Sequence, residues 1–163
     1  TVAHVAPANF KEHVLRKAFM VPHGKTAVWQ WLNDPATFTD TQVWPYRVEF
    51  VSADPNVPPG FFVGGLNVHH GPFINFAGMM TVIQEEAYRD LHYFYGSYAI
   101  SHRLVRPTRL QFWVEEQQPN QTEVILQVDS LVAGWFAPLW DFGQNIFWRS
   151  FPRWMNRELS KRA

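Results

Sequence analysis

The chain of 163 residues carries fourteen basic and fourteen acidic side chains and no cysteine. Balanced charge leaves no global field for nucleic acid, and the absence of thiols excludes disulfides, thiol catalysis and Cys-based zinc or iron–sulfur sites. The surplus is aromatic: with 8 Trp, 5 Tyr and 14 Phe, some rings are expected to line a cavity or reach an interface rather than fill one small core.

No run of 18 or more apolar residues is present, so no membrane-spanning helix is expected. Thr1 to Asn9 lacks the basic-then-apolar layout of a signal peptide and reads as a short flexible tail. A cysteine-free chain fits a reducing compartment, so a cytoplasmic location is expected. The length suits one domain spanning 1–163.

In chain order, Phe10 to Val21 alternates imperfectly and reads as a strand. Pro22, His23 and Gly24 break it. Lys25 or Thr26 opens a short helix in which Val28, Trp29 and Leu32 fall at helical spacing. Asn33-Asp34-Pro35 closes that helix, and Asp34 is placed to cap a second short one over Pro35 to Thr39. The period then becomes two: Trp44, Tyr46, Val48 and Phe50 alternate with Pro45, Arg47 and Glu49. Asp54 to Gly60, with three prolines, is a loop. Strands are predicted at about 61–69, 73–85, 90–99, 108–116 and 122–132, joined by short turns, as in an antiparallel meander. From Phe136 to Arg162 apolar residues recur at three and four, predicting one helix of about 25 residues. Pro152 lies opposite its apolar stripe and should kink it rather than end it.

The predicted class is therefore α+β: a curved antiparallel sheet of about seven strands wrapped around a long C-terminal helix, with two short helices after strand 1 plugging one end. This is a helix-grip arrangement.

The segment Ala18 to Phe38, with Val21-Pro22, Val28-Trp29, Leu32 and Asp34-Pro35, resembles the START/polyketide-cyclase (SRPBCC) superfamily. The hairpin at Gln121-Thr122-Glu123-Val124, the closing long helix and the element order over nearly the whole chain agree with it. The resemblance implies an apolar cavity between sheet and helix that takes lipids, sterols, quinones or polyketides. It carries over no shared catalytic set, because members include carriers, cyclases and proteins without a known ligand.

Alternation nominates Trp44, Tyr46, Phe50, Phe76, Met80, Tyr93, Tyr95, Phe112, Trp140 and Phe147 as the lining of that cavity, subject to register, since a slip of one residue turns every side chain to the other face. Asp90 to Tyr98 is the strand richest in chemistry. If Leu91 points inward, so do Tyr93, Tyr95 and Ser97; in the opposite register His92, Phe94 and Tyr98 do. Tyr93, Tyr95 or His92 would be the acid/base groups of a cyclase or dehydratase; as structural residues they would pack by their rings.

Adjacent strand residues His69 and His70 point to opposite faces, so one inward and one outward histidine is expected and no metal site. The turn at Gln84-Glu85-Glu86 reads as solvated charge. No cofactor motif is present: Gly64-Gly65 lacks a following Lys-Ser/Thr and a helix. Arg149, Arg153 and Arg157, spaced by four, share one helix face. With Trp148 and Met155 beside them, they suit either contact with an anionic membrane or solvated cations complementing the helix dipole. The expected function is binding or transfer of a hydrophobic small molecule. A cyclase/dehydratase-like enzyme and a protein-interaction module with a filled cavity are the alternatives. Oligomeric state is left open.

Overall fold

A computed structural model describes residues 4–40, 46–71, 75–96 and 103–162. Seven strands form one sheet: β1 (Phe10–Val21), β2 (Arg47–Val51), β3 (Leu66–His70), β4 (Asn75–Gln84), β5 (Tyr88–Gly96), β6 (Val105–Gln118) and β7 (Gln121–Ala133). Their order is β1-β7-β6-β5-β4-β3-β2 and every neighbouring pair is antiparallel. Strands β2 to β7 are a meander. β1 pairs with β7 at the far edge, so the connection from β1 to β2 must cross the sheet, and it carries the two short helices α1 (Lys25–Asn33) and α2 (Pro35–Thr39).

Alternation explains which face curls inward. Val124, Leu126 and Val128 of β7 and Leu110, Phe112 and Val114 of β6 are buried, as is Leu15 of β1. In contrast Val14 and Met20 of β1 stand in solvent. Register shifts at Phe76/Gly78 and Met80/Val82 in β4 and at Pro107/Arg109 in β6 mark bulges, which increase local twist and bend the sheet.

The segment 61–65, read from its apolar residues as the start of a strand, is irregular. Gly64 adopts φ +90°, Gly65 donates to the Phe62 carbonyl at 2.8 Å, and strand geometry begins at Leu66. A Cβ on Gly65 would lie 2.7 Å from the Gly60 carbonyl oxygen, so this turn needs glycine.

Asp34 caps α2 as expected, its Oδ1 accepting from the Ala36 amide at 3.0 Å. The C-terminal segment is helical over the predicted span, but in two pieces: α3 (Ala137–Arg149) and α4 (Phe151–Arg162), parted at Ser150. Pro152 has no N–H to offer the Trp148 carbonyl, so the ladder fails there. The Trp154 amide bonds the Ser150 carbonyl at 3.1 Å, and coiling resumes.

The two helices do different work. α4 buries Phe151, Trp154, Met155 and Leu159 against α1 and β1. There Trp31 meets Trp154 edge-on with centroids 4.8 Å apart, and Phe38 and Phe151 close around the pair at 6.0 and 5.9 Å from Trp31. This end of the gap is plugged by rings. Burial of each large side chain here is worth about 1.5–3 kcal/mol. Arg162 fastens the end of α4 to the Asp34 carboxylate at 3.0 Å. α3, by contrast, rests on β1 and β7, tied through His13 Nε2 and Asp141 Oδ1 at 2.9 Å, and stands off from β2–β5.

Candidate functional site

Between α3 and the concave face of β2–β6 lies a cavity of about 520 Å³. Its floor comes from alternate residues of adjacent strands: Val48 on β2, Asn67 and His69 on β3, Phe76 and Met80 on β4, Arg89, Leu91 and Tyr93 on β5, and Leu110 and Phe112 on β6. Its roof is the inner face of α3, with Trp140, Gln144, Phe147 and Trp148. The lining residues that are themselves exposed, Arg47, Gly143, Ile146 and Ser150, mark its rim. Across that rim Tyr46 meets Phe147 edge-on at 4.9 Å.

Tyr93 owes its place to Gly78, its partner on β4: a Cβ there would lie 2.9 Å from Tyr93 Cδ1, so only glycine lets the ring lie flat across the strand. Phe76 and His69 complete a cluster around it, with Phe76 at 4.7 Å, His69 at 5.3 Å, and His69 stacked on Phe76 at 5.2 Å. Burial pushes the Tyr93 hydroxyl well above its usual pKa, so it stays a protonated donor. Burial, then the nearby Arg89 and His70 charges, bring His69 down to about 3, so it is neutral at physiological pH. Its Nε2 and the Oδ1 of Asn67 are buried with no hydrogen-bond partner.

Arg89 is 4% exposed. Its Nη1 donates to the Leu32 carbonyl in the last turn of α1, a site that favours a cation. Its guanidinium lies over the rings of Phe61, Phe112 and Phe38 at 4.4, 4.8 and 5.4 Å. Desolvation pulls its pKa down to about 9, which leaves it charged at neutral pH.

The opposite face of β5 is a separate polar network. Asp90 receives Arg109 Nε at 2.9 Å and Nη2 at 2.7 Å, and His92 Nε2 lies 3.2 Å away. Burial by itself would raise the Asp90 carboxyl, but hydrogen bonds and charge from Arg109, and His92 beside it, outweigh that and hold it below the usual carboxylate range. Arg109 is raised in return, chiefly by its hydrogen bond to Asp90.

Of the residues nominated from sequence, Tyr46, Phe76, Met80, Tyr93, Phe112, Trp140 and Phe147 line the cavity. The register with Leu91 and Tyr93 inward is the one adopted. His92 therefore sits on the outer face with Asp90, and its candidacy as a cavity acid or base falls. Phe50 does not line the cavity; it packs edge-on against Phe61 at 4.7 Å and borders a shallower cleft beside α2. Trp44 and the Tyr95 side chain lie outside the described residues.

The expected split of the histidine pair is only partial: His69 and His70 both border the cavity, His69 within the ring cluster and His70 partly exposed and paired with Glu49 at 3.1 Å. Glu85 is more than solvated charge, since it accepts the indole N–H of Trp29 at 2.7 Å. Arg149 ends α3 while Arg153 and Arg157 lie on α4, so the three exposed arginines are divided between two helices; Met155 is fully buried and Trp148 turns into the cavity, so neither flanks them. Arg89 is not among the nominated residues, because it lies between the predicted strands 73–85 and 90–99. Its spacing of two from Leu91 and four from Tyr93 was the available signal.

Neither a protein-family model nor a curated protein sequence matches the chain. Solved structures do match in shape. Norcoclaurine synthase from Thalictrum flavum, solved with dopamine and hydroxybenzaldehyde, superposes with a TM-score of 0.68 at 8% identity, covering 100% of this chain and 97% of that one. The Zhui aromatase/cyclase from Streptomyces sp. R1128 gives 0.68 at 11% identity, covering 93% and 96%. Ara h 8.0201 gives 0.63 at 13%, covering 93% and 99%. The fold is the helix-grip fold. At these identities the likeness is one of fold alone. No described helix is long and apolar enough to cross a membrane, and no group of three potential metal-ligating side chains occurs among the described residues.

Proposed function

We propose that the protein binds and carries a hydrophobic small molecule, aromatic or lipid-like, in the cavity under α3. The observation that carries this reading is the cavity itself: about 520 Å³ walled mainly by aromatic and aliphatic side chains, within the range of about 300–1,000 Å³ typical of small-molecule sites. An interaction module with a filled gap would lack such a space. The related folds solved with dopamine and hydroxybenzaldehyde, or described as an aromatase/cyclase, agree with a ligand bearing rings.

A carrier is favoured over a cyclase by the state of the polar groups. An acid/base pair works best with pKa values near the operating pH. Here Tyr93 is pushed up, His69 is pushed down to about 3 and Arg89 stays charged. These groups orient a ligand by hydrogen bonding better than they exchange protons with it.

Loading from a membrane fits the outer side of α3. Trp135, Leu139, Phe142 and Ile146 recur at four, three and four residues, and each is 56–73% exposed. Arg149 and Arg153 continue toward the C terminus, exposed and without a carboxylate partner among the described residues. An apolar ridge with Trp at one end and cations at the other suits an anionic bilayer surface, and Ile146 places it beside the cavity rim. A cytoplasmic setting, where anionic leaflets face inward, is part of the same proposal.

Native mass spectrometry of the freshly purified protein tests the carrier reading. A bound small-molecule mass is expected, and Val128→Phe, at a β7 position that also lines the cavity, should fill it and remove the bound mass without unfolding the chain. A protein that neither retains nor takes up any apolar compound would overturn the reading. For the membrane step, vesicles with and without anionic lipid are compared; Leu139→Ser with Phe142→Ser should abolish binding, and indifference to anionic lipid would sink it.

A further inference from the structure

We infer that the ligand of this cavity is an amphiphile with an anionic head, a carboxylate or its equivalent, which docks on the Arg89 guanidinium while its apolar body fills the space toward α3. The inference rests on the small-molecule reading above and adds the chemical class of the ligand.

The charge inventory carries it. All fourteen Asp and Glu residues of the chain belong to the described residues, and none lines the cavity. The charged side chains that do are Arg47 at the rim and Arg89 inside. No carboxylate pairs with Arg89: of its donors only Nη1 has an acceptor, the Leu32 carbonyl, among the described residues. A guanidinium presents five N–H donors in a fixed fork matched to a carboxylate, and burying one without a counter-charge costs several kcal/mol in general.

The ring contacts sharpen the point. Phe38, Phe61 and Phe112 lie around the guanidinium, and cation–π contact offsets part of its lost hydration. The side chain is thus held among rings, with donors beyond Nη1 that no described residue accepts from. Nearby, the buried Nε2 of His69 and Oδ1 of Asn67 also lack partners. A carboxylate head would satisfy the fork, and a polar substituent on the ligand would satisfy the other two.

Matched probes test this: anthracene-9-carboxylate against 9-anthracenemethanol, and dodecanoate against dodecan-1-ol, titrated into the protein by fluorescence and calorimetry. In each pair the carboxylate should bind at least about tenfold more tightly, the scale of one charge-assisted contact in a desolvated site. Arg89→Met should erase that preference while the alcohols still bind. Should Arg89→Met fail to fold, Arg89→Lys keeps a cation but loses the fork, and should weaken the carboxylates several-fold with the alcohols unmoved. Equal affinity for acid and alcohol in the unaltered protein would overturn the anionic-head inference and leave the small-molecule reading intact. Loss of the preference on Arg47→Gln, with Arg89→Met without effect, would move the head to the rim and also overturn it. Failure of every probe to bind would count instead against the small-molecule reading, and the inference would fall with it.

Discussion

The ring of Tyr93 lies across Gly78 so closely that a methyl group on that glycine would come within 2.9 Å of Cδ1 and 3.0 Å of the His92 carbonyl oxygen. One of those neighbours is backbone and cannot yield. Gly78→Ala should therefore cost about 1–3 kcal/mol, read as a lower urea midpoint, and should loosen ligand binding by displacing Tyr93. A variant as stable as the parent would mean that β4 and β5 can part without loss.

The indole of Trp29, 2% exposed, donates to Glu85. Glu85→Ala strands that N–H and should destabilise by about 1–3 kcal/mol. Glu85→Gln, which keeps an acceptor oxygen, should recover most of it. Chemical denaturation of the two variants side by side gives the answer, and equal effects from both would deny the hydrogen bond its role.

Stability depends on acid in two separate windows. His69 is held at about 3 in the fold, chiefly by burial, against about 6.5 in an unfolded chain. Below about 6.5 the unfolded state takes the proton and the folded state does not, so stability falls progressively as pH drops toward 3. His4, lowered for the same first reason, acts in the same direction. Stability measured from neutral to mildly acid pH should decline, and His69→Leu should flatten the curve.

Asp90 contributes in the lower window. Its carboxyl titrates below the unfolded value of about 3.9, so its stabilisation is complete above that pH and lost as pH falls through the folded value. Asp90→Asn should remove this second limb and leave the His69 limb in place. An unchanged acid limb in Asp90→Asn would show that the pair with Arg109 does not drive it.

Tyr46 and Phe147 span the cavity rim. Phe147→Ala should speed ligand exchange in a stopped-flow displacement assay with little change in melting temperature, because the ring stands at the opening rather than in the plugged end. Unchanged rates would place the route elsewhere.

Much of the fold was legible because β6 and β7 alternate cleanly between apolar and polar residues, which fixes the inward face. β5 did not yield to that argument. Leu91 and Tyr93 face the cavity while His92 and Phe94 are half-buried on the other side, so both parities look apolar. Arg89 was lost for a related reason: a charged residue beside a turn reads as solvent-facing, and nothing local announces that three distant phenylalanines enclose it. In the C-terminal segment the three-four recurrence located the helix but not its buried side. Leu139 and Ile146 share that recurrence with Trp140 and Phe147, yet they stand in water while their neighbours roof the cavity. A helix apolar on more than half its circumference cannot say which part meets the sheet.

The interruption at Ser150 divides the interior into a solid half under α4 and a hollow half under α3. Substitutions in the two halves should draw on different reserves. Removing a ring from the Trp31–Trp154 packing subtracts directly from folding free energy, whereas reshaping residues such as Leu110 or Met80 mainly alters which molecule fits. Such a layout lets ligand preference change over generations while the packed end stays put, so variation among proteins of this lineage should concentrate beneath the first of the two helices.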